Sequence, residues 1–276
     1  MSNLKTLKIR IKSVKSTQKM TKAMKMVAAS KLRRAKQQVE ASRPYAEKIG
    51  ELISDLASNI SSQSIEGGKF GLLTGNGSDK THLVVVLSSD RGLCGGLNIN
   101  LFKTAIGSMK EWSDQGVEID FCLIGAKAAA FFKSYGGNVV AAIRDIGEDP
   151  LVSDLIGGVK VMMDGFTQGN IDKLFLVTNN FVNTMTQQPT PLTLLPLQPA
   201  DNTDALPNLW DYIYEPDAEL LLDDLLVRYL ESQVYQAVVE NTACEMAARM
   251  LAMKAATDNA GDFIKELNLL YNKARQ

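Results

Sequence analysis

A hydrophobic repeat that persists for seven heptads at the C-terminal end most constrains what this chain can fold into. Stepping alternately by three and four residues from 222 to 274, thirteen of sixteen positions are apolar or Ala, among them Leu225, Tyr229, Val239, Met246, Met250, Met253, Ile264, Leu267 and Tyr271. That spacing draws one continuous apolar stripe along a helix and calls for a second helix to cover it. At 1.5 Å per residue the helix is about 80 Å long, more than the width of a compact domain. It reads as a shaft.

The other end of the chain supplies the match. Leu4, Leu7, Ile11 and Val14 follow the same spacing, and Ala28, Leu32, Ala35 and Val39 resume it. Between them Gln18, Thr21 and Lys25 put polar groups on the seam, with Met20, Met24 and Val27 as a neighbouring stripe. No Gly or Pro precedes Pro44, so nothing interrupts a helix. The two ends are expected to pair antiparallel. If Gly50 lies near Asp217, Leu4 meets Ile264, and Ile264, Leu267 and Tyr271 begin an unpaired overhang.

Charge is divided as sharply. Residues 1–48 hold fourteen bases and two acids, a net of +12, while the other 228 residues hold sixteen bases and twenty-nine acids, a net of −13. The segment 217–276, with ten acids and six bases, offsets only part of the N-terminal excess. Uncompensated charge along a rod repels itself and calls for an outside partner, either nucleic acid or an acidic protein surface. No aromatic residue that could stack on bases occurs before Tyr45.

The middle of the chain changes character. His82–Ser88, Ile119–Ile124 and Lys173–Thr178 read as buried strands and Asn138–Ile146 as a weaker one. Helical stretches at Asn98–Trp112, Ala126–Tyr135 and Leu151–Phe166 alternate with them. This order predicts a mainly parallel, doubly wound α/β sheet, Rossmann-like, inserted between the terminal helices. The expected divisions are 1–58 for the first shaft helix, 78–209 for the globular foot and 210–276 for the second shaft helix. Gln187–Pro207, with five prolines, reads as a connection.

Ordinary chemistry finds little footing. His82 is the only histidine, and Cys94, Cys122 and Cys244 are odd in number and widely spaced, so neither a metal site nor a disulfide framework is expected. A reducing compartment fits these cysteines best. No apolar run approaches bilayer length, and the basic N-terminus lacks the apolar region of a secretory signal. The glycine-rich turn Ser88–Asn98 joins a strand to a helix, where phosphates often bind. Its G-x-x-G-G spacing matches neither a dinucleotide fingerprint nor a P-loop. A tight structural turn or a partner surface is the better reading, with Cys94 as a small loop hydrophobe.

Four stretches carry a resemblance. KSVKSTQKMTKAMKMVAASKLRRA (Lys12–Ala35), SSDRGLCGGLNINLF (Ser88–Phe102), WDYIYEPD (Trp210–Asp217) and ESQVYQAVVEN with AARMLAMKAATDNA (Glu231–Ala260) resemble the signature segments of the gamma subunit of F-type ATP synthase, in the family's order. The resemblance implies a central rotor shaft whose coiled coil enters a ring of three alpha and three beta subunits, which hold the catalytic sites. The foot, with the epsilon subunit, sits on the c ring at the cytoplasmic face of the bacterial inner membrane. Proton or sodium flow then turns the shaft to drive ATP synthesis, or ATP hydrolysis turns it back.

Motif matching places Met24, Arg249 and Gln276 at positions used against beta, with Lys22 and Lys25 in the basic stretch that answers beta's acidic loop. Tyr212, Tyr214 and Glu215 match the foot's contact with the c ring and epsilon. Ile264, Leu267 and Tyr271 on the expected overhang would otherwise face water, so a sleeve of alpha and beta subunits is expected to grip them. Family members run on past the NKARQ segment, so contacts beyond Gln276 are not carried over. The resemblance implies no catalytic residue, cofactor or metal in this chain, no nucleic acid as partner, and membrane association only through the complex. A nucleic-acid-binding coiled coil using the basic helix is the alternative.

Overall fold

Two helices of nearly equal length carry the ends of the chain. The computed structural model describes residues 4–59, 75, 77–197 and 218–276. Helix α1 (Leu4–Asn59) has 56 residues and α5 (Ala218–Arg275) has 58, each about 85 Å long. α1 runs through Pro44 without ending. The expected boundary at residue 210 lies outside the described residues.

The two helices pack antiparallel along the seam read from the sequence. Leu32, Ala35 and Val39 interlock with Val239, Ala243 and Met246, and nearer the chain ends Leu7 and Ile11 close on Leu267. Gln18 and Thr21 form a polar layer within the seam: the Thr21 hydroxyl lies 2.8 Å from the Thr257 hydroxyl, and Gln18 Nε2 donates to the Thr257 carbonyl at 3.4 Å. The Met20 and Val27 stripe stays exposed, at 62% and 52%. Those two residues form an apolar strip on the outside of the shaft.

The register differs from the expected one. Thr21 opposes Thr257, and Gly50 packs on the ring of Tyr229, twelve residues further along the chain than the partner expected for it. The pairing is displaced by about three helical turns, so the overhang disappears: Ile264 and Leu267 are buried within the coil. The reason is geometric. A displacement of about eleven residues is nearly a whole number of turns, so it keeps the same face buried. Periodicity alone cannot distinguish the two registers.

Between the shaft helices lie β1 (Thr81–Leu87), α2 (Leu97–Asp114), β2 (Glu118–Ile124), α3 (Ala126–Tyr135), β3 (Asn138–Ile143), α4 (Val152–Thr167), β4 (Lys173–Phe181) and β5 (Gln187–Leu195). The sheet order is β3-β2-β1-β4-β5, with the first four strands parallel and β5 antiparallel to β4. β5 corrects the reading of Gln187–Pro207 as a connection. Pro189 and Pro191 oppose Asn179 and Val177 in its ladder. Two residues apart, the prolines turn their nitrogens to one side, and an edge strand has one side without a ladder to break.

The sheet is covered on both faces. α2 and α3 pack Leu101, Phe102, Ala105, Ala128 and Phe132 on Val84, Val86, Phe121 and Leu123. On the other face α4 brings Leu155, Val159 and Met162, and beside it α5 brings Leu230, Val234, Ala237 and Val238. The second shaft helix is thus also a covering helix of the α/β domain. Polar bonds fix its seat on β4. Asn179 Nδ2 donates to Asn241 Oδ1 at 2.8 Å, the Phe181 N–H donates to Glu240 Oε1 at 3.0 Å, and the Cys244 thiol donates to the Asn179 carbonyl at 3.4 Å.

Two outcomes follow. Leu230→Ala opens a cavity where α5 meets the sheet and lowers stability by about 2–5 kcal/mol. Foot and shaft should lose structure in one transition, so Trp112 fluorescence and far-ultraviolet ellipticity coincide; a foot that melts while the helical signal persists would refute the shared core. Deleting 264–276 should fray α1 over residues 4–14, read as faster amide exchange there, with the sheet unaffected.

Candidate functional site

The carboxyl ends of β1, β2 and β3 point toward the shaft, and there the foot becomes a collar around the coil. In an open parallel sheet this edge, where the strand order reverses between β1 and β4, is the usual ligand crevice. Here α5 crosses it. The remaining cleft has a volume of about 220 Å³ and is lined by Asp90, Asp145, Glu148 and Glu245 together with Arg91 and Arg249. That is smaller than the few hundred Å³ of an ordinary small-molecule site, and four carboxylates oppose a phosphate.

The glycine-rich turn is built as a seat for α5. Cys94 and Leu97 are buried against Cys244 and Ala248. Asn98 holds the turn from inside, accepting the Ser89 N–H at 3.2 Å and donating to Ser89 Oγ at 2.7 Å. Gly95 has φ +60°, a conformation that disfavours residues with a Cβ, and its face lies against Ala252. Gly96 sits at φ −87°, and a Cβ there would meet only the Asn100 side chain, so it carries no such demand. Leu93, at φ +65°, is 62% exposed on the outer rim. Cys94 is the small buried hydrophobe expected of it. His82 is far away at the opposite end of β1, its Nε2 2.5 Å from Asp79 Oδ1.

Arg249 lies inside the collar. Its Nη2 donates to the Gly92 carbonyl at 3.1 Å and pairs with Glu245 one turn earlier, both side chains being 12% exposed. Burial pushes the Glu245 carboxyl up from its usual range, with Arg249 opposing the shift and Asp90 and Glu148 adding to it. The structure brings Met24 and Arg249 to one notch of about 260 Å³, shared with Val27, Lys31, Leu93 and Met246. The notch has apolar walls and a charged rim on which Arg91 joins Lys31, Glu148 and Arg249, with Lys31 paired to Glu148 and Arg249 to Glu245.

The other sequence-selected residues are dispersed. Lys22 is exposed and Lys25 half-buried, and both line a groove with Lys19, Lys254 and Asp258 beside the Thr21–Thr257 layer. Gln276 is exposed at the end of α5, about 40 Å along the helix from Arg249, and shares no site with it. Tyr212, Tyr214 and Glu215 lie outside the described residues.

Sequence reasoning missed the acidic loop after β3. Glu148 pairs with Lys31, while Asp149 Oδ2 and Oδ1 lie 3.5 Å from Arg34 Nη1 and Gln38 Nε2. Part of the basic excess of α1 is therefore answered within the chain, not wholly by an outside partner. The run Asp145-Ile-Gly-Glu-Asp149 was the available signal, but nothing in a sequence brings it to α1.

The family model described as ATP synthase matches residues 3–276. The chain belongs to the ATP synthase gamma family. This gamma-family chain is similar to a chain of the Tetrahymena thermophila mitochondrial ATP synthase central stalk/c-ring structure, at 23% identity and a TM-score of 0.61, covering 86% of this chain and 99% of that one. It is also similar to a chain of the Euglena gracilis mitochondrial ATP synthase rotor, at 18% identity and a TM-score of 0.65, covering 99% of this chain and 97% of that one. At such identities the likeness is one of fold, and it bears out the gamma-type pairing of terminal helices with a central sheet.

For this gamma-family collar two substitutions are informative. Gly95→Val should cost about 1–3 kcal/mol through its backbone angle, and Gly96→Ala far less, as thermal melts will check. Glu245→Gln tests the buried pair. A carboxyl whose folded value lies above its unfolded one binds its proton more tightly when folded. Its contribution is therefore most favourable at low pH and declines as pH rises past the ordinary glutamate value of 4.5 toward the raised one. The stability of the natural chain relative to Glu245→Gln should fall across that window; a flat difference would show that Glu245 is not perturbed.

Proposed function

We propose that this chain is the central rotor shaft of an F-type ATP synthase, coupling ion-driven rotation of a c ring to ATP synthesis or hydrolysis at beta-subunit sites. The observation that carries the reading is the continuity of α5. The same helix is a layer of the foot's core and one strand of the shaft, so a twist applied to the foot passes to the shaft through packed side chains and not through a linker. Family membership gives that mechanical connection its context.

The partners of this reading are alpha, beta and epsilon subunits and the c ring. A rotor acts on beta as a ligand whose affinity differs between beta conformations, so its surface must differ with direction. The shaft supplies such asymmetry: the Met24–Leu93–Arg249 notch with Val27 in its lining, the Lys22–Lys25 groove, and the exposed Met20. An acidic loop of beta is the occupant that suits the notch and groove. Arg249 contributes there mainly by holding the Gly92 turn, since its own guanidinium is engaged inside. Gln276 is assigned to beta at the far end of the shaft, and Tyr212, Tyr214 and Glu215 to the c ring and epsilon.

The chain performs no bond chemistry in this reading and binds no cofactor. Its place is peripheral, at the cytoplasmic face of a bacterial inner membrane and held there by the complex. Among the described residues no helix is long and apolar enough to cross a membrane.

The deciding experiment is co-expression with alpha, beta and epsilon subunits and recovery of a nucleotide-hydrolysing complex. Lys22→Glu with Lys25→Glu should weaken assembly or coupling, while the coil's helicity changes little, because exposed ion pairs contribute only about 0–1 kcal/mol each. Met24→Lys should lower coupling while assembly persists. A chain that ignores the ring but binds duplex DNA with steep salt dependence would favour the nucleic-acid alternative.

A further inference from the structure

We propose that the acidic loop after β3 is a clasp by which the foot grips α1 at the collar, so that torque enters both helices of the shaft and not α5 alone. The proposal rests on the rotor reading above. α5 needs no such device, because Leu230, Val234, Ala237 and Val238 lie in the foot's own core. α1 is placed differently. Its apolar seam is occupied by α5; toward the foot it turns Met24 and Val27 at the Leu93 notch and, farther along, Lys31, Arg34 and Gln38.

Both halves of the clasp are preorganised. Lys31, Arg34 and Gln38 are spaced by three and four residues and so share one face of α1. Lys31 pairs with Glu148, and Asp149 takes Arg34 and Gln38 at 3.5 Å each. The loop that carries the acids is pinned at each end. On the sheet side Asp90 Oδ1 accepts the N–H groups of Asp145 at 3.3 Å and of Ala126 at 2.8 Å. On the helix side Asp154 in the first turn of α4 accepts the Leu151 N–H at 3.0 Å. Between those pins Asp145 and Gly147 adopt φ of +58° and +80°, shaping a short projection.

A second contact acts alongside. Lys36 Nζ sits 4.9 Å from the centre of the Phe181 ring at the end of β4. The pairs of the clasp are substantially exposed, so they contribute little to folding. Their value is directional, because several weak bonds from one rigid loop resist sideways movement of α1 across the collar.

The test uses the full chain with Glu148→Lys, Lys31→Glu and the charge-swapped double variant. In Glu148→Lys, hydrogen exchange across residues 28–42 of α1 should accelerate about two- to fivefold, while exchange in β1 and β4 and the melting temperature stay as in the natural chain. The double variant should return exchange toward its natural rate. Unchanged exchange in Glu148→Lys, or acceleration that the swap does not reverse, would overturn the clasp. In the assembled complex, Glu148→Lys should lower ATP-driven ion pumping per ATP hydrolysed, and the swap should recover it; full coupling in Glu148→Lys would show that the clasp carries no torque. Failure of the natural chain to assemble would count against the rotor reading, and leaves the exchange result to judge the clasp by itself.

Discussion

Everything in this molecule depends on one helix being buried on two sides. Between Val234 and Ala248, α5 turns Val239, Ala243 and Met246 to α1 and turns Val234, Val238 and Cys244 to the sheet and its loops. A helix apolar all round is ordinarily a core helix, and one with a single stripe is ordinarily a coil strand. α5 is the first over its middle and the second toward its C-terminal end. The change falls near Arg249, where the Gly92 turn of the foot touches it. Joining the two roles in one unbroken rod connects foot and shaft through packed side chains.

The buried polar groups follow from that arrangement. Toward its end β4 carries Thr178, Asn179 and Asn180, an odd choice for the centre of a sheet. Two of the three are accounted for by α5, with Asn179 meeting Asn241 and the Thr178 hydroxyl donating to the Ala237 carbonyl at 3.5 Å. Apolar contact would allow the helix to slide or rotate on the sheet, whereas a directional bond between buried amides sets its position. The Glu245–Arg249 pair and the Gly92 carbonyl do the same for the collar.

The fold was largely legible because the two periods in the sequence are strong. The heptad of 222–274 points to a long helix and the β-branched run His82–Ser88 to a buried strand, and both appear. What stayed hidden was whatever requires knowing which residues meet across the chain. β5 was obscured by Pro189 and Pro191, whose meaning changes at an edge. The double role of α5 could have been suspected from Val234, Ala237 and Val238, which are apolar yet off the seam. Of the candidate site, the sequence pointed to Met24 and Arg249 separately; their common notch, Leu93 at its rim and the pairing of Lys31 with Glu148 exist only once the chain has folded.

The polar layer of Gln18, Thr21 and Thr257 has a mechanical meaning. In the register expected from the sequence, Thr257 would lie opposite Arg10 and Thr21 opposite Met246, leaving hydroxyls in the seam without each other. Apolar layers of a coil are nearly interchangeable, and a shaft made only of them could creep along its own axis under load. One layer of mutually bonded hydroxyls, with Gln18 reaching the Thr257 carbonyl across the seam, makes every displaced alignment worse than the native one. The layer ties the axial register of the two helices to one position, where the apolar layers on either side would accept several.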